Sequence, residues 1–121
     1  PEVPEERNLA LETLLTAQDR PTAVLVSDDI LAMALEKTCA ELGISIPGDL
    51  SIISFNNSLF ARLTYPPLTS MDINSFQLGI EAASQMISHI ETPDLMATKT
   101  IVPHHIVARE SCKAVIGETC V

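Results

Sequence analysis

The chain has 121 residues, 46% hydrophobic and 19% charged, with no Trp, one Tyr and three Phe, so it can bury one aliphatic core of ordinary size. A net charge of −9 makes these residues alone a poor partner for phosphate backbones. No apolar run approaches the ~20 residues of a membrane span, and the charged, Pro-rich start Pro1-Glu2-Val3-Pro4-Glu5-Glu6-Arg7 leads us to expect no secretion signal.

Pro4 suits a first helical turn, and Glu5 and Glu6 suit the positive end of a helix dipole. Leu11, Leu14, Leu15 and Gln18 share one face, which predicts a helix from Glu5 to Gln18, broken by Asp19-Arg20-Pro21. A helix that runs straight into a buried strand implies a strand before it, and the first residue is not Met. Both features lead us to expect a fragment or a processed chain. Ala23–Val26 and Ser51–Phe55 are continuous apolar runs, as in strands of a parallel sheet beneath helices. Between them a helix is expected from Asp29 to Leu42, capped by Asp28 or Asp29 and ended by Gly43. Leu31, Leu35, Thr38, Cys39 and Leu42 form the line expected to meet the sheet. Ile30, Met33, Ala34 and Lys37 form a second line, which packs on a neighbouring loop or on another subunit.

Leu59–Tyr65 reads as a helical turn followed by loop, and Pro66-Pro67 as an extended break. Leu68–Ile73 alternates like a strand. A helix then runs from Phe76 to Glu91, capped by Asn74 or Ser75, with a broad apolar surface that includes Leu78, Ala82, Ala83, Met86, Ile87 and Ile90. Thr98–Val102 and His105–Ala108 have strand composition, with Pro103 marking a kink between them. The tail from Arg109 gives weak signals. Three cysteines, with no Cys-x-x-Cys pair, read as reduced thiols of a cytoplasmic protein. Cys39 is expected in the core, and Cys112 and Cys120 near the terminus are open to oxidation.

Enzyme signatures are missing: there is no dinucleotide or Walker glycine loop, no Gly-x-Ser-x-Gly and no His-Glu-x-x-His. His104 and His105 point to opposite sides of a strand and cannot share a metal, and His89 stands alone. We therefore expect no catalysis, no metal and no cofactor. Asp28 and Asp29 at a helix start diverge, one acting as cap and one free for a ligand. Ligands of open α/β sheets sit outside the carboxyl ends of the strands. Asp28, Asn56 and Asn57 lie at two such ends and carry hydroxyl-recognising chemistry, although turn and cap duty would also account for them.

Four segments carry a family likeness. Pro21-Thr22-Ala23 through Ser27-Asp28-Asp29-Ile30-Leu31-Ala32, Leu42-Gly43-Ile44-Ser45-Ile46-Pro47-Gly48-Asp49 through Phe55, Tyr65-Pro66-Pro67-Leu68-Thr69-Ser70 and Val107-Ala108-Arg109-Glu110-Ser111 occur in order over nearly the whole chain. Together they resemble the effector-binding domain of lactose-repressor (LacI/GalR) regulators. Phe55-Asn56-Asn57-Ser58 looks most like the maltose-operon repressors among them.

The resemblance implies a periplasmic-binding-protein-like (type I) α/β fold, a parallel sheet flanked by helices, incomplete and mostly the C-terminal subdomain. Residues 1–75 would be part of that subdomain, 76–103 would belong to the N-terminal subdomain, and 104–121 would return. Family ligand contacts fall on Asp28, where Asn is common, and on Asn56, where Asp usually grips a sugar or purine. Ser75 takes a position that often carries an aromatic ring, which Phe76 would supply here. The family's dimer helix places Met33 and Lys37 at the subunit contact with Ile30 and Ala34, flanked by Leu63 and Thr64. The implied function is sugar (maltose or maltodextrin) sensing and dimerisation in a cytoplasmic transcriptional repressor. It would reach operator DNA only through a helix-turn-helix upstream of these residues and would not touch membrane. The exposed sheet edge and unpaired helix would also allow swapping or strand addition with a second copy. Rival readings are a transport solute-binding protein, a sugar-metabolising α/β enzyme and, within the family, a regulator that answers to a phosphoprotein.

Overall fold

The computed structural model describes residues 5–115; the expectations at Pro4 and Cys120 lie outside them. Eight elements follow one another: α1 (Glu5–Thr16), β1 (Ala23–Leu25), α2 (Asp29–Glu41), β2 (Ser51–Phe55), α3 (Leu59–Leu63), β3 (Thr69–Asp72), α4 (Ser75–Glu91) and β4 (His105–Val107). The sheet order is β1-β2-β3-β4. The first three strands are parallel, with Val24 opposite Ile52 and Ser54 opposite Ser70. β4 closes the far side antiparallel, with His105 opposite Asp72.

Alternation along β2 sets the core. Ile52 and Ser54 point inward and are buried, while Ser51, Ile53 and Phe55 lie half-buried on the other face. Ile52 joins Leu15 of α1, Ala32, Leu35 and Cys39 of α2, Leu50, Ala61 and Leu68 in one aliphatic cluster. The opposite face of the sheet is open: Leu25 is 68% exposed. β1 is therefore covered on one side only, where sequence alone predicted burial on both.

Four expectations need correction. Helix α1 stops at Thr16, two residues before Gln18, because the chain turns toward β1 through Arg20 N donating to Ala17 O. The buried line of α2 is Asp29, Ala32, Leu35, Glu36 and Cys39; Leu31 and Leu42 are exposed. Asn74 takes the cap position of α4, with a left-handed φ of 53°, but its side chain makes no cap bond. Thr98–Val102 pairs with no strand, since β4 already occupies the free side of β3. It lies against α4 instead, where Gln85 bridges Thr98 and Thr100 at 3.4 Å each.

Helix α4 has no buried residue. Gln77, Glu81, Gln85 and His89, one turn apart, are half-buried, whereas Phe76, Met86, Ile87 and Ile90 are exposed. The apolar side is thus left without a partner among the described residues. Among the described residues no helix is long and apolar enough to cross a membrane.

Candidate functional site

The carboxyl ends of β1 and β2 open onto a cleft of about 310 Å³ lined by Asp28, Asp29, Ile30, Asn56, Ser58 and Phe60. Two adjacent carboxylates on its wall have separate work. Asp28 caps α2: its Oδ1 accepts from Leu31 N at 2.9 Å, in extended backbone. Asp29 turns inward beneath the cleft floor. Its Oδ1 accepts from Ser54 Oγ (2.5 Å) and Ser70 Oγ (2.8 Å), and its Oδ2 from Ser58 N (2.6 Å). Burial pushes the Asp29 carboxyl up, but the bonds from Ser54, Ser58 and Ser70 outweigh it and hold it below the usual range. One carboxylate therefore ties α2, β2, β3 and the start of α3 together. The Ser58 hydroxyl is itself buried without a partner among the described residues.

After β2 the backbone passes through two left-handed residues, Asn56 (φ 94°) and Asn57 (φ 45°), a conformation Asn tolerates better than most side chains. Asn56 N donates to Met71 O at 2.9 Å, which continues the ladder, while its exposed side chain makes no hydrogen bond among the described residues. Asn57 is held from three sides. Its N donates to Ser70 Oγ (3.0 Å), its Nδ2 donates to Asp72 Oδ2 (2.9 Å), and its Oδ1 accepts from Arg109 Nη2. Arg109 is fixed in turn through Nη1 to Leu68 O (2.8 Å) and N to Thr69 Oγ1 (3.0 Å). The turn is rigid at Asn57 and presents Asn56.

Asp28 and Asn56, singled out from sequence, thus line one cleft. Ser75 and Phe76 open α4 just past the end of β3, but both are exposed and neither lines that cleft. Ile30, Met33 and Leu63 are exposed by 57%, 40% and 71%, Ala34 and Thr64 are half-buried, and Lys37 pairs loosely with Glu41 at 4.0 Å. Ile30, Met33, Ala34 and Lys37 lie on α2, and Leu63 and Thr64 at the end of α3, which packs against α2. Glu36 of α2 is buried, with Oε1 unpartnered among the described residues. Burial pushes its carboxyl up to about 7 against a smaller opposing effect of Thr64.

Sequence reasoning missed Asp29 as the junction, and missed Asp72 and Arg109 as supports of the turn. Serines at the inward positions of two apolar strands, Ser54 and Ser70, were the available signal: a buried hydroxyl needs a partner. Among the described residues no three His, Cys, Asp or Glu side chains gather as metal ligands.

An open α/β sheet with a polar cleft at its strand ends is the arrangement of the periplasmic-binding-protein class. The chain belongs to that family: the periplasmic binding protein-like domain model matches residues 1–112. Its form is that of LacI-family regulators. It is 30% identical over 112 residues to the transcriptional repressor PurR of Mannheimia succiniciproducens, covering 93% of this chain and 34% of that one. A solved LacI transcriptional regulator of Bacillus cereus subsp. cytotoxis superposes with a TM-score of 0.85 at 34% identity, over 92% of this chain and 39% of that one. A LacI-family regulator of Enterococcus faecium with bound ribose superposes at 0.76, with 28% identity, over 87% and 38%. The chain spans about a third of the length of curated relatives such as this PurR. These relatives are transcriptional regulators.

Proposed function

We propose that these residues are the effector-binding and subunit-contact part of a cytoplasmic LacI-type transcriptional repressor that answers to a sugar. The observation that carries the reading is the cleft lined by Asp28 and Asn56 at two strand ends. Asp28 Oδ2 accepts, and the Asn56 amide both accepts and donates, as a pair of sugar hydroxyls requires. The ribose in the Enterococcus neighbour supports the sugar class. Phe55-Asn56-Asn57-Ser58 supports the narrower maltose or maltodextrin reading. Ser75 and Phe76 would reach the ligand only from the α4 side, as part of a wall that the rest of the protein completes.

In this reading residues 1–75 and 104–121 belong to one subdomain and 76–103 to the other, which fits an α4 that buries nothing here. The side formed by Ile30, Met33, Ala34, Lys37, Leu63 and Thr64 meets a second copy. Sugar between the subdomains favours one orientation of them and thereby shifts the dimer's fit to operator DNA, which is read by a helix-turn-helix elsewhere in the protein.

The test is calorimetric titration of the full-length protein with maltose, maltotriose and ribose. Asp28→Ser, which keeps the helix cap, and Asn56→Ala are titrated beside the parent. Saturable binding weakened at least about tenfold in both variants is expected, since each loses a hydrogen bond to a bound group. Binding unchanged in both would overturn the site. A transport solute-binding protein would bind sugar equally well, but its dimer and operator affinity would not respond to it.

A further inference from the structure

The stretch 73–104 leaves the sheet after Asp72 and returns at His105, and these two residues face each other in the ladder. The stretch that carries α4 is therefore tied to the sheet at one rung, formed by the end of β3 and the start of β4. Asp72 stands there with both carboxylate oxygens committed to different neighbours. Oδ2 accepts from Asn57 Nδ2 at 2.9 Å, on the turn that presents Asn56. Oδ1 accepts from Asn74 N at 2.7 Å, on the left-handed residue that stands at the cap position of α4. The two residues so joined are both left-handed and so confined to a narrow backbone well, which a displaced contact would disturb. These two hydrogen bonds, with a smaller contribution from the charge of Arg62 on α3, outweigh desolvation and hold the Asp72 carboxyl below the usual carboxylate range.

We propose that Asp72 is a positioning residue that couples the Asn56–Asn57 turn to the base of α4, so that a ligand held by Asn56 biases the direction in which α4 leaves the sheet. The ligand half of this statement rests on the cleft being the effector site; the mechanical half does not. Asn57 cannot shift toward or away from the cleft without moving Asp72, because its backbone and both polar atoms of its side chain are already held. Asp72 cannot follow without changing the bond that fixes Asn74. Two discrete arrangements of one carboxylate would then carry the signal over a single residue, the kind of physical element that coupling between sites requires.

Hydrogen exchange of the full-length protein, read by mass spectrometry on segments 55–60 and 73–80, tests it without any ligand. The set is the parent, Asp72→Ala, Asn57→Gly and the double variant. Glycine keeps the left-handed backbone at 57, and its loss of the Arg109 contact is common to both Asn57→Gly proteins and cancels in the cycle. Each single variant is expected to speed exchange in both segments by at least about threefold, and the double variant to exceed the larger single effect by little. Asp72→Asn, which keeps one acceptor, should restore part of the protection. Changes confined to one segment, or single effects that multiply in the double, would overturn the coupling. Should Asp72→Ala not fold, Asp72→Asn carries the same cycle. Titration of parent and Asp72→Asn with ribose and maltotriose is the second arm. If neither sugar binds the parent, the sugar reading fails while the coupling is still decided by exchange.

Discussion

Asp29 shows how much one side chain decides. Two hydroxyls and a backbone N–H converge on a carboxylate that is 1% exposed. Asp29→Ala would strand all three donors, and buried donors without partners cost about 1–3 kcal/mol each, softened by relaxation. We expect a loss of about 2–4 kcal/mol in urea unfolding, against about 1 kcal/mol for removal of the Asp28 cap. The pH signature follows from its depressed folded pKa. The stability Asp29 contributes is present above the ordinary carboxylate value and is lost as pH falls through the lower, folded one. In Asp29→Asn the acid limb of the unfolding midpoint should flatten. Composition and spacing could not separate Asp28 from Asp29, since both are reasonable caps. What separates them is which one the buried serines of β2 and β3 can reach.

At the scale of elements, that same contact explains why α2 sits rotated from its expected face. Seating Asp29 against Ser54 and Ser70 puts Ala32, Leu35 or Glu36, and Cys39 at helical intervals onto the sheet, and turns Leu31 out. Hydropathy ranked Leu31 above Glu36, but a polar anchor at the helix start overrode the ranking. The β1–α2–β2 unit itself was legible, because two unbroken apolar runs around an amphipathic helix have few other solutions. Thr98–Val102 was misjudged because strand composition needs a free neighbouring strand to become a strand. The buried Glu36 has a measurable consequence. Its carboxyl is pushed up to about 7 from an ordinary value of 4.5, so the folded state holds a proton that the unfolded chain has released. Stability should therefore fall as pH rises from the lower value through the higher, and level off above it. We expect Glu36→Gln to remove that slope in denaturant midpoints between pH 5 and 8, and to stabilise the protein by about 1–3 kcal/mol at the alkaline end. A slope that persists in the variant would assign it to another group.

The whole molecule carries two apolar surfaces that its own described residues do not cover, and they make opposite demands. On the α2–α3 side, Ile30, Met33 and Leu63 are exposed over a folded core, and this is the side proposed to meet a second copy. Helix α4 is instead an element whose polar stripe faces its own chain and whose apolar stripe faces outward. A helix gains most of its stability by burying an apolar face, so α4 in these residues alone is held by little more than its own backbone. Substitutions tell the two surfaces apart. Ile87→Ser and Ile90→Ser should change the stability of the 121-residue chain by about 0.5 kcal/mol or less, as exposed positions do. In the full-length protein, if residues 76–103 pack into the other subdomain, each should cost about 2–4 kcal/mol, as buried large-to-small changes do. Leu63→Asp should leave stability nearly unchanged in both and, if this side is the proposed subunit contact, shift the full-length protein toward monomer in sedimentation. If Ile87→Ser cost the same small amount in both chains, α4 would be a surface helix wherever it occurs, and the division of the protein at residues 75 and 103 would fall with it.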